Sequence, residues 1–111
     1  MPYDEDLAVR VRQLLTDADG VTERKMFGGL AFMIDGHMCC GIVENRLMVR
    51  VGPDAYRTAL QEPSAREMDF TGRPLGGMVY VEPSGIAEQR SLAAWVDRGV
   101  DFVRSLPPKS A

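Results

Sequence analysis

The chain has 111 residues, 45% of them hydrophobic and 26% charged, the proportions of one ordinary globular domain. Its net charge of -3 argues against broad binding to nucleic-acid phosphates, which takes a concentrated basic face. No apolar run approaches the roughly 20 residues of a membrane span, and the acidic opening MPYDEDLAVR lacks the basic-then-apolar order of a signal peptide, so a cytoplasmic location is expected.

Residues 4–18 read as a helix. Leu7, Val11, Leu14, Leu15 and Ala18 fall on one apolar stripe, Asp4 suits the N-cap, and Glu5 and Asp6 suit the first turn. Asp19-Gly20 ends it. Residues 21–27 alternate as a short strand, followed by Gly28-Gly29, a bulge or bend that lets another element approach. The apolar run 30–34 is a central strand, and Asp35-Gly36 is a hairpin turn into a return strand over 37–43. Glu44-Asn45 offers a second tight turn before a strand over 46–51. There Leu47, Val49 and Val51 face one way, buried, while Arg46, Met48 and Arg50 face a partly wet side.

Pro53 opens a short helix over 54–61. Residues 65–76 contain two glycines and a proline and read as a short strand around 67–70, then a loop. Residues 77–82 form a strand, closed by Pro83-Ser84-Gly85. The last helix spans 87–106, with Leu92, Trp95, Val96, Phe102, Val103 and Leu106 on its apolar stripe. Gly99 lies on that stripe, where it costs about 1 kcal/mol against alanine and so predicts close approach to another backbone. The order α-β-β-β-β-α-β-β-α predicts an α+β fold: an antiparallel sheet of five to six strands with helices packed on one face. One domain over 1–111 is expected, with 107–111 as a tail.

The chemistry-bearing residues do not converge. Adjacent strand residues point to opposite faces, so Cys39 and Cys40 are read as one buried and one half-exposed thiol, inert rather than redox-sensing. His37, the single histidine, follows a turn and lacks an orienting partner. Gly28-Gly29 leads into a strand rather than a helix, unlike a phosphate loop. None of the serines sits in a nucleophile elbow, and the carboxylates form neither a metal motif nor an acid/base pair. No catalytic residue, cofactor or metal is expected.

What remains is a candidate interaction face: Arg24, Arg46, Met48 and Arg50, with Arg73 nearby. Its bland reading is a solvated sheet face neutralised by Glu23, Glu44 and Glu67. Met26, Met33, Met38, Met48 and Met78 fall on or beside strands. A methionine-rich face adapts to varied partners, including a second copy of the chain.

Met26-Phe27-Gly28-Gly29, the Asp35-Gly36 hairpin, the run Arg46-Leu47-Met48-Val49-Arg50-Val51, the run Gly77-Met78-Val79-Tyr80-Val81-Glu82-Pro83 and the helix bearing Trp95 together resemble the N-terminal domain of the TfoX (Sxy) family. These are bacterial regulators associated with natural competence. The resemblance is to a stand-alone form, without the C-terminal helix-hairpin-helix-like domain of full-length members. It implies a fold similar to secretion-chaperone-like and YjbR-like domains. It also implies a non-catalytic role in transcription regulation through a protein partner, with a homodimer possible. A small-ligand-binding or enzymatic domain with a pocket between sheet and helices is the alternative, and weak direct DNA binding through a local arginine patch the third reading.

Overall fold

The computed structural model describes residues 3–26, 28–69 and 74–107. Phe27 of the proposed signature and Arg73 of the proposed face lie outside them. Six strands form one antiparallel sheet: β1 (Val21–Met26), β2 (Gly29–Ile34), β3 (His37–Val43), β4 (Arg46–Arg50), β5 (Ala65–Asp69) and β6 (Pro74–Val81), in the order β1-β2-β3-β4-β6-β5. Three helices pack on it: α1 (Glu5–Leu14), α2 (Tyr56–Leu60) and α3 (Gln89–Arg104). The α+β class and the order of elements are those read from the chain.

The elements form for local reasons. Asp4 Oδ1 accepts the Leu7 N–H at 3.1 Å and caps α1. The helix ends at Leu14, a turn earlier than its apolar stripe predicts. There the Thr16 hydroxyl donates back to the Arg12 carbonyl and the chain continues as turns, yet Leu15 stays buried. Asp35 and Gly36 both take positive φ, 51° and 85°, as a tight hairpin demands. Glu44 does the same at 55°, and its carbonyl accepts the Asp4 N–H at 2.7 Å, which ties the N-terminus to the β3–β4 turn. Strands β5 and β6 begin earlier than expected, at Ala65 and Pro74, because each pairs with the other and the pairing overrides weak propensity. Proline at the first residue of a strand removes little of the ladder.

The helix side of the sheet holds the main core. Leu30, Phe32, Ile42, Leu47, Val49, Val79 and Val81 meet Leu7 and Val11 of α1, Ala59 of α2, and Leu92, Trp95, Val96 and Val103 of α3. Burying each large side chain contributes about 1.5–3 kcal/mol. A β-carbon on Gly99 would lie 2.6 Å from the Cys39 carbonyl oxygen, so the glycine lets α3 sit directly on β3. At the other end of the signature, a β-carbon on Gly29 would collide with the Ile42 carbonyl oxygen, so this glycine admits the neighbouring strand.

The two cysteines depart from the expectation: both have no exposure. Phe32 pairs with Cys40 and Met33 with Met38, so Cys39 is the extra residue of a β-bulge. The bulge breaks the alternation and brings both thiols to the helix side. The hydrogen bond with Cys39, reinforced by burial, pushes the Cys40 thiol well above its ordinary pKa. An elevated pKa keeps the thiol protonated and unreactive.

Candidate interaction face of the sheet

The face opposite the helices is built by alternation. From the register, Thr22, Arg24 and Met26 of β1 lie outward, followed by Gly29, Ala31 and Met33 of β2 and Gly41 and Val43 of β3. Arg46, Met48 and Arg50 of β4, Met78 and Tyr80 of β6, and Arg66 and Met68 of β5 complete it. Met38 joins through the bulge, opposite Met33. Every methionine of the chain except Met1 therefore stands on one side of one sheet.

This face has two unlike halves. On β4, β5 and β6, Met48, Met68 and Tyr80 form a small second core with 0%, 2% and 6% exposure. The expectation that Met48 sits on a wet surface is thus wrong. Its methyl group lies across Gly41, where a β-carbon would come within 2.5 Å of Cε, and it packs with Met68 and Tyr80. The glycine opposite, rather than anything in β4, makes room for it. Met38 and Val43 of β3 and Met78 of β6 are half-buried against that core, while Met26 and Met33 are half-buried beyond it and Arg24 is exposed. Met68, which sequence reading did not single out, was detectable: Arg66 and Met68 alternate as Arg46 and Met48 do.

The arginines do not act as one cluster. Arg46 stacks on the Tyr80 ring at 4.0 Å and reaches Glu44 at 3.4 Å. Arg50 turns away from the face, past the end of β4, to lie 5.3 Å from the Phe102 ring of α3. Arg66 donates to the Pro63 and Ala65 carbonyls, both at 2.8 Å. Arg24 has no such partner among the described residues. Of the carboxylates proposed to neutralise the face, Glu23 pairs with Arg12 at 2.7 Å. Glu67 takes the helix-side register and raises the Tyr56 pKa, after burial of that ring. Among the described strand side chains, the outward positions carry arginine and no carboxylate. The open half is therefore apolar, polarizable and positive at Arg24, with Arg46 at its border on β4 beside Glu44, on a chain that is negative as a whole.

His37 lies at the start of β3, where its Nε2–H donates to the Pro107 carbonyl at 2.7 Å and ties down the segment that follows α3. Among the described residues, no group of three or more His, Cys, Asp or Glu side chains is placed to hold a metal ion. No helix of the described chain is long and apolar enough to cross a membrane. Among the described residues, four surface clefts are lined by side chains other than Arg46, Arg50 and His37.

Comparison with protein families gives a match to the TfoX N-terminal domain over residues 13–103. The chain belongs to the TfoX N-terminal domain family. The matched span runs from the last two residues of α1 to the last turn of α3 and so takes in the whole sheet. No curated protein and no solved structure matches the chain.

Proposed function

We propose that this TfoX N-terminal domain is a non-catalytic regulatory module of the cytoplasm that modulates transcription by binding a protein partner. The binding surface is the open half of the outer sheet face. Family membership supports a role related to competence. The observation that carries the choice of surface is the concentration of half-buried methionines on β1, β2 and β3 beside Arg24 and Arg46, with no opposing carboxylate on the described outward strand positions. Methionine side chains adapt to a partner's shape, and arginine is favoured at protein interfaces. The fitting partner surface is apolar with acidic groups at its margin. Direct DNA binding fits less well, because Tyr80, the aromatic residue among the described outward strand positions, is buried under Arg46 and offers no stacking platform.

The test is affinity capture from native extract with the wild-type domain beside Met38→Asp and Arg24→Glu variants, with binders identified by mass spectrometry. The expected result is a transcription regulator or polymerase component bound by the wild type and lost in both variants. Recovery of no such component, or equal recovery by all three proteins, contradicts the proposal.

A further inference from the structure

On the helix side, away from the face just described, α2 and α3 leave a cleft of about 490 Å³. That is within the range of about 300–1,000 Å³ typical of small-molecule sites. Its floor is Val51 just after β4, Ala59 of α2, and the ring of Phe102, whose centre lies 5.3 Å from the Arg50 guanidinium. Ala55 and Thr58 form one wall. Arg98 and Asp101 stand on the other, three residues apart and hence on the same side of α3.

The charges at this wall are set for a ligand rather than for each other. Arg98 and Asp101 make no ion pair with one another, and neither has a hydrogen-bond or ion-pair partner among the described residues. Arg98 is half-buried, and its guanidinium carbon lies over the Trp95 indole, 4.3 Å from the ring centre. The ring contact holds the guanidinium at the cleft wall, and the fork of N–H donors that a guanidinium carries suits a carboxylate. Arg98 also lines the smaller polar cleft beside it, with Ser64 and Ser91.

We infer that the α2–α3 cleft binds a small zwitterion with an apolar body, of the class of a free hydrophobic amino acid. The α-carboxylate sits on Arg98, the α-ammonium faces Asp101, and the side chain lies on Val51, Ala59 and Phe102. One positive and one negative group a helical turn apart, above an apolar floor, match that molecule's three features. A purely anionic ligand meets the Asp101 carboxylate, and a purely apolar one leaves both charges unused. The inference does not depend on the partner-binding role of the opposite face.

The experiment titrates the whole chain with L-phenylalanine, N-acetyl-L-phenylalanine and L-phenylalaninamide, reading backbone amide shifts by NMR. Phenylalanine is expected to give a saturable shift centred on Val51, Ala59 and Phe102. Blocking either charge on the ligand is expected to weaken binding by about tenfold or more, the worth of a hydrogen bond to a charged group. Asp101→Asn is expected to abolish the discrimination between phenylalanine and its N-acetyl derivative. Equal binding of the three probes, shifts centred elsewhere, or no saturable shift at tens of millimolar overturns the inference. The changes made to the ligand need no altered protein, so a misfolded Arg98 variant cannot obscure the result.

Discussion

The same side chain does two jobs on the two halves of the outer sheet face. Met48 and Met68 are closed into a second core with Tyr80, while Met26, Met33 and Met38 stay half open. Composition does not separate them, since each is a methionine on a strand. The neighbours do. Gly41 opens a slot that Met48 fills, Arg46 covers the Tyr80 ring, and Met68 packs with both although β5 is an edge strand, as β1 is. A closed methionine contributes to stability and an open one is available for binding.

Mutation of the two halves should break this symmetry of residue type. Met48→Ala is expected to cost about 2–5 kcal/mol, because it leaves a cavity in a filled cluster, and Met33→Ala well under that. Urea unfolding of both variants checks it, and equal costs would refute the division. The next effect belongs to the helix side. Gly99→Ala forces a methyl group against the Cys39 carbonyl and is expected to cost about 1–3 kcal/mol, as overpacking does. The same mutation on a helix that did not touch the sheet would stabilise it, so a gain in melting temperature would contradict the close approach of α3 to β3.

Smaller effects sharpen the comparison at the surface. Glu23 is held below its usual carboxylate pKa chiefly by its hydrogen bonds from Arg12, at 2.7 and 2.8 Å. A lowered folded-state pKa means the pair's contribution is present above the ordinary carboxylate value and is lost as pH falls through the lowered one. At this exposed site the loss is about 0.2–1 kcal/mol, and Glu23→Gln should remove the corresponding part of the acid side of the pH–stability curve. The smallest change has the opposite sign. The Tyr56 hydroxyl is enclosed with no hydrogen-bond partner among the described residues. Tyr56→Phe is therefore expected to leave stability unchanged or raise it by up to about 1 kcal/mol, since removing an unsatisfied polar atom relieves its desolvation.

The strands and turns were legible because their signals are local. Asp35-Gly36, the alternation in 46–50 and the stripe of α3 all report on the backbone beside them. The two thiols were misplaced because a bulge is a property of two strands: nothing in HMCCGIV says that Met33 pairs with Met38 rather than with Cys39. Met48 was misplaced for a related reason. Its burial depends on Gly41 one strand away and on Met68 some 20 residues further along. The arginines show the same limit at longer reach. Alternation placed Arg50 on the outward face correctly, but a flexible side chain at a strand end finds the nearest ring, and here that ring belongs to α3. The cleft between α2 and α3 had no sequence signal, since Val51, Ala59 and Arg98 come from three separate segments.

The most direct test of the central claim is site-specific photo-crosslinking in living cells. A photoreactive residue is placed at Met33 or Met38 on the open half, and at Arg90 or Arg104 on the exposed side of α3. A discrete protein adduct from positions 33 and 38, with none from 90 and 104, is the predicted result. Adducts of equal strength from all four positions, or none from 33 and 38, would contradict a partner-binding role for that half of the sheet.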